Sequence, residues 1–205
     1  MSQTPYGFLP SRFEQAVVQR MQPLAAGIVR LGVSANGITL GSLLFAAATG
    51  TLLALGHLRW ALLPGVVMGF CDVLDGLVAK TARSESVFGA ILDSAVDRYA
   101  EFLIFAGFGV YFTLHGGWEW TAVAALALTG SFQVSYVKAR AEGAGVSCPV
   151  GLAQRSERLV LLAFGALFGG WILKGILLAL SVLSHFTAIQ RLLFLSKSQR
   201  VPHNG

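Results

Sequence analysis

The feature that most constrains this chain is the absence of charge over long stretches: no Asp, Glu, Lys or Arg occurs from Leu31 to Gly56 or from Trp120 to Val137. The first run exceeds, and the second approaches, the roughly 20 residues that a helix needs to cross a bilayer. Backbone groups in hydrocarbon must find partners within their own structure, which makes an uncharged run of this length a helix. The chain as a whole is 55% hydrophobic and 12% charged, against roughly 25% charged in a soluble domain. A soluble globule does not fit, and an all-α integral membrane protein is expected.

Six spans are predicted, at roughly 34–56, 60–82, 87–114, 118–141, 152–173 and 175–195, which places both termini on one side. Of the 15 Lys and Arg, only Arg59 and Lys174 then fall on the opposite side, so the positive-inside rule makes the side of the termini cytoplasmic. Trp60, Trp118, Trp120 and Trp171 fall at the predicted outer ends, where amphipathic indoles prefer to sit. The same placement of charge assigns the net +5 to a membrane surface and not to nucleic acid. Before the first span, Phe13, Val17, Val18, Met21, Leu24, Ile28 and Leu31 recur at steps of three and four, the pattern of an interfacial amphipathic helix. The expected organisation is this helix within 1–33, a six-helix catalytic domain over 34–195 and a short cytoplasmic tail, 196–205. Arg12, Glu14, Arg20 and Arg30 interrupt Met1–Arg30, so no cleavable signal is read there. Cys71 and Cys148 are expected to be free thiols.

All the aspartates lie between positions 72 and 97, within or beside apolar spans: Asp72, Asp75, Asp93 and Asp97. A carboxylate inside a membrane is costly and is kept where it faces a cavity, a partner charge or a metal. Asp72, Asp75, Gly76 and Ala79 share one helical face, with Gly76 leaving room beside the acids. Asp93 and Asp97 are one turn apart on the next span, Gly89 a turn earlier. The short polar Lys80–Val87 connection makes the two spans antiparallel and brings both pairs about two turns from the connection. Hard oxygen ligands in this number suit Mg²⁺ or Mn²⁺ better than zinc. Two such ions stabilise the attacking and leaving oxygens in displacement at phosphorus, so phosphoryl-group transfer is the expected chemistry. Ion pairs to Lys80, Arg83 or Arg98 and a divalent-cation transporter are the competing readings.

The run Asp72-x-x-Asp75-Gly76-x-x-Ala79-Lys80, followed after eight residues by Gly89-x-x-x-Asp93-x-x-x-Asp97, closely resembles the signature of the CDP-alcohol phosphotransferases. Lys80 stands where that pattern has Arg, retaining the charge but not the planar fork. The resemblance implies a six-span bundle, commonly dimeric, preceded by an amphipathic helix on the cytoplasmic side, in the inner membrane. It implies that Asp72, Asp75 and Asp93 ligate metal, with Asp72, Gly76, Ala79, Lys80 and Gly89 at the CDP moiety. Asp97 is implied as ligand and as the base that takes the acceptor's proton while CMP leaves.

Lys138, Arg140, Arg155, Arg158 and Arg191 gather at cytoplasmic ends of the later spans and suggest an anion pocket. The stretches Ser135–Glu142 and Gln154–Leu159 resemble those of the branch that makes phosphatidylinositol phosphate, with Ser156 where Pro is usual. That likeness implies inositol phosphate as acceptor, its phosphate held by Lys138, Arg155 and Arg191. Glycerol 3-phosphate, the acceptor of a phosphatidylglycerophosphate synthase, fits the same charges.

Overall fold

The computed structural model describes residues 11–151 and 154–198. Seven helices run through them: α1 (Ser11–Arg30), α2 (Ala35–Ala54), α3 (Leu62–Thr81), α4 (Val87–His115), α5 (Trp118–Gly143), α6 (Arg155–Phe168) and α7 (Gly170–Ser198). The all-α expectation holds, with no strand among the described residues. By length and composition, three of them, α2, α3 and Gly170–Lys197 of α7, are long and apolar enough to cross a membrane. The first ten residues and the end of the expected tail, from 199, lie outside the described residues.

Local chemistry sets the helix starts. Ser34 Oγ accepts from Gly37 N at 3.2 Å ahead of α2, and Ser86 Oγ accepts from Gly89 N at 3.0 Å ahead of α4. Each satisfies one of the donors that a first helical turn leaves over. At α6, Gln154 N donates to Glu157 Oε2 at 2.8 Å, one half of a capping box.

The chain divides into two compact units, one from α1 to Thr121 and one from Ala122 onward. In the first, α2 packs on α3 and α4, and α1 packs on α3. The buried face of α2 (Thr39, Ser42, Ala46, Thr49, Gly50, Leu53) follows steps of three and four, as one helical stripe should. Its approach to α4 is close: a Cβ on Gly107 would lie 2.9 Å from Gly50 Cα, so small residues at the crossing permit the packing, as between membrane helices generally. The amphipathic α1 buries Met21 and Ala25 against Leu77 and Val78 of α3 and leaves Leu24 exposed, as is Leu31 just beyond its end. Its apolar stripe therefore faces protein as well as the surroundings. At the far end of α4, Thr121 Oγ1 donates to Gly109 O at 3.1 Å and lies 3.0 Å from Thr113 Oγ1.

In the second unit, α6 packs on α7, with Gly165 beside Leu173 and Ile176. A Cβ on Gly130 of α5 would meet His185 Nδ1 at 2.7 Å and Ser184 Cβ at 2.8 Å, so α5 and α7 also touch closely. The boundary between the last two helices differs from the expected one. Helix α6 ends at Phe168, and residues 170–173, assigned above to the fifth span, open α7. The cause is the pair Gly169 and Gly170, with φ of 64° and 51°, a conformation that interrupts a right-handed helix and that glycine adopts readily. At 14 residues, α6 is about 21 Å long at 1.5 Å per residue. Lys174 then falls in the first turn of α7, its Nζ 4.9 Å from the centre of the Trp171 ring.

Candidate active site

The site grows from the α3–α4 hairpin. Helix α3 closes with Ala82 N donating to Val78 O and Ser84 N donating to Ala79 O, both at 2.9 Å, and Arg83 adopts a φ of 52°. The chain thereby reverses within a few residues before Ser86 caps α4. This antiparallel arrangement lays the acids of α3 beside those of α4.

Asp72, Asp93 and Asp97 each offer one carboxylate oxygen, and those three oxygens lie within 4.8 Å of one another. Around a Mg²⁺ or Mn²⁺ ion with bonds of about 2.1 Å, oxygens in octahedral geometry stand about 3 to 4 Å apart, so the three acids have the donor type and nearly the spacing of a divalent-cation site. Asp75, expected in the same ligand set, is placed differently. It is 7% exposed and accepts a 2.6 Å hydrogen bond from Thr39 Oγ1 of α2, although the charges of Asp93 and Asp72 still reach it. The three-acid group is thus flanked by a fourth acid anchored from another helix.

The other residues expected at the nucleotide also lie on this hairpin. Gly76 is exposed with nothing within 4 Å of a Cβ added to it, Ala79 is half-buried and Lys80 is exposed in the last turn of α3. A Cβ on Gly89 would lie 3.3 Å from Asn36 Oδ1, so the first turns of α2 and α4 meet there. The competing ion-pair reading has a counterpart at Arg98, whose Nη2 is 4.0 Å from Asp97 Oδ2 while its Nη1 donates to Glu101 Oε2 at 2.9 Å.

The residues expected to hold the acceptor's phosphate lie in the second unit. Lys138 Nζ is 3.8 Å from Glu142 Oε1 on α5, and Arg155 opens α6. Arg191 is 7% exposed, and its guanidinium is engaged by the backbone: Nε donates to Val150 O at 2.8 Å and Nη1 to Val134 O. It braces α7 to α5 and to the segment before α6.

Sequence reasoning missed Thr39, Asn36 and Glu101. Thr39 meets Asp75 across 36 positions, a separation without local pattern. Glu101 did carry a signal, being an acid one turn beyond Asp97 within an apolar helix.

A model of one family, described as CDP-alcohol phosphatidyltransferase, matches residues 32–187. The chain belongs to this family. Among its relatives, archaetidylinositol phosphate synthase of Methanothermobacter thermautotrophicus is 34% identical, the match covering 90% of this chain and 92% of the relative. Phosphatidylinositol phosphate synthase of Mycobacteroides abscessus is 35% identical over 83% and 80% of the two chains. Crystal structures of phosphatidylinositol phosphate synthase from Mycobacterium tuberculosis share the fold. The one with CDP-DAG bound has a TM-score of 0.78 and 29% identity, covering 84% of this chain and 91% of that one. The one in complex with manganese and citrate has a TM-score of 0.78 and 28% identity, over 84% and 87%.

This CDP-alcohol phosphatidyltransferase is therefore a phospholipid-biosynthetic enzyme that moves a phosphatidyl-type group from a CDP-linked lipid to an alcohol. The names of these relatives favour a phosphoinositol acceptor over glycerol 3-phosphate and over cation transport. The acidic cluster and the manganese in a similar structure fit divalent-metal chemistry.

Proposed function

We propose that this enzyme transfers the phosphatidyl group of CDP-diacylglycerol to inositol phosphate at the α3–α4 hairpin. The observation that carries the reading is the convergence of oxygens from Asp72, Asp93 and Asp97 within 4.8 Å, in a chain that resembles archaetidylinositol phosphate and phosphatidylinositol phosphate synthases along most of its length. Asp72, Asp93 and Asp97 hold Mg²⁺ or Mn²⁺, and Asp75, oriented by Thr39, completes a site for two ions. When bound, these ions neutralise the pyrophosphate and stabilise the charge that develops on the attacking and leaving oxygens.

The chain's own residues supply the rest. Lys80 and the open face at Gly76, Ala79 and Gly89 receive the CDP moiety. Asp97 accepts the proton of the acceptor hydroxyl as its oxygen bonds to the lipid-side phosphorus. The phosphorus–oxygen bond to the nucleotide breaks, and CMP departs with the electron pair. Lys138, Arg155 and Arg191 hold the acceptor's phosphate, and Arg191 also braces Val150 and Val134. The placement of Lys, Arg and Trp supports six membrane segments with both termini and the hairpin on the cytoplasmic side, and the family resemblance supports a homodimer in the inner membrane.

The test presents purified protein in lipid with CDP-diacylglycerol and, separately, labelled inositol phosphate or glycerol 3-phosphate, and identifies the lipid formed. Phosphatidylinositol phosphate as the main product is expected. Phosphatidylglycerophosphate formed faster at equal acceptor concentration would assign the other acceptor.

A further inference from the structure

Glu101 is a charged side chain with 1% exposure on α4, one turn beyond Asp97. Burial of a carboxylate in an apolar helix is tolerated only when the charge is matched. The structure matches it with Arg98, whose Nη1 donates to Glu101 Oε2 at 2.9 Å. The same guanidinium turns its other terminal nitrogen toward the metal cluster, with Nη2 4.0 Å from Asp97 Oδ2. One planar fork therefore stands between two carboxylates, 2.9 Å from the one outside the cluster and 4.0 Å from the one within it. The choice matters because a guanidinium fork can grip a carboxylate with two parallel bonds. If Arg98 closed on Asp97 in that way, it would occupy the oxygens that a cation needs and bring a positive charge against a divalent ion.

We infer that Glu101 is a positioning residue that restrains Arg98, keeping the Asp97 carboxylate open to metal. Glu101 neutralises the arginine's charge beside the cluster and fixes the direction of its fork. This inference rests on the reading of Asp97 as a ligand. It adds that Glu101, acting through Arg98, governs how well that ligand works. Partners that orient metal-ligating groups typically change metal affinity about ten- to a hundredfold when altered.

The test is Mn²⁺ binding by the full-length protein in lipid nanodiscs, read from the electron paramagnetic resonance signal of free Mn²⁺ without substrate. Glu101→Gln keeps the shape but removes the restraining charge, and about tenfold weaker Mn²⁺ binding is expected. The double variant Glu101→Gln with Arg98→Gln removes the competing arginine as well, and binding should return to within about threefold of the parent. Unchanged affinity in Glu101→Gln overturns the inference. So does weakened affinity that the second change does not rescue, since that marks damage to the fold. Should Glu101→Gln fail to fold, Glu101→Asp keeps the buried charge but shortens its reach. About threefold weaker binding is expected then, and an unchanged value overturns the idea equally. The underlying reading fails separately: a parent protein whose Mn²⁺ affinity is unaffected by Asp93→Asn has no cation at these acids, whatever Glu101 does.

Discussion

Replacing Thr39 by Val tests the link between α2 and the acids more sharply than removing an acid. The two side chains have nearly the same shape, so the change deletes the hydroxyl and little else. That hydroxyl donates at 2.6 Å to an Asp75 carboxylate buried to 7% exposure, while lying 3.1 Å from Ala35 O. An O–H···O⁻ bond of this length is of the strong, charge-assisted kind. Hydrogen bonds to charged groups contribute about 1.5–3 kcal/mol, and each ~1.4 kcal/mol is about tenfold in an equilibrium constant. With Asp75 released from Thr39, the Mn²⁺ concentration giving half-maximal CMP release should rise about ten- to a hundredfold. Thr39→Ser restores the hydroxyl and should fall within about threefold of the parent. The assay is CMP release against Mn²⁺ concentration on purified variants whose unfolding midpoints in detergent are measured alongside. Thr39→Val with unaltered metal dependence would refute the reasoning and reduce the Thr39–Asp75 bond to a packing contact.

Three further outcomes are expected. Asp97→Asn should lower transfer by about 10²–10⁴, the range of a general base, while CDP-lipid binding stays within about tenfold; near-normal turnover would place the base elsewhere. Arg155→Gln should raise the acceptor KM about ten- to a hundredfold, from one lost charged hydrogen bond, at unchanged stability. By contrast, Arg191→Gln should also lower stability, by about 2 kcal/mol, because Val134 O and Val150 O lose their donor; equal stability of the two variants would contradict the brace. Gly107→Ala should destabilise the first unit by about 1–3 kcal/mol through overpacking, seen as a lower SDS midpoint, because the new methyl would meet Gly50 Cα.

What was legible in the sequence followed from short-range periodicity. Asp72 on α3 with Asp93 and Asp97 on α4 could be brought together from helical spacing and one short connection, and their oxygens do meet. Asp75 shares the α3 face yet is held by Thr39, because which oxygen a buried acid offers depends on a neighbour 36 residues away. The amphipathic stripe of α1 was legible, but a stripe reads alike whether it covers lipid or protein, and here Met21 and Ala25 cover α3. The end of α6 was written in Gly169–Gly170; a search for apolar length runs across such a pair because glycine interrupts neither charge nor hydropathy. Arg191 was expected at the acceptor's phosphate, and nothing local in the sequence marked it as a brace. Its partners are backbone carbonyls at Val134 and Val150, and any residue type supplies those.

The central claim, metal-dependent phosphatidyl transfer at Asp72, Asp93 and Asp97, is tested most directly by one measurement. The purified protein is stripped of metal with a chelator, given CDP-diacylglycerol and inositol phosphate, and followed for CMP and lipid product as Mn²⁺ is restored. The account predicts no CMP from the stripped protein, one CMP per phosphatidylinositol phosphate after Mn²⁺ is added, and no recovery in Asp93→Asn at the same Mn²⁺ concentration. Transfer that continues in the chelated protein, or an Asp93→Asn variant with the parent's Mn²⁺ response, would contradict it.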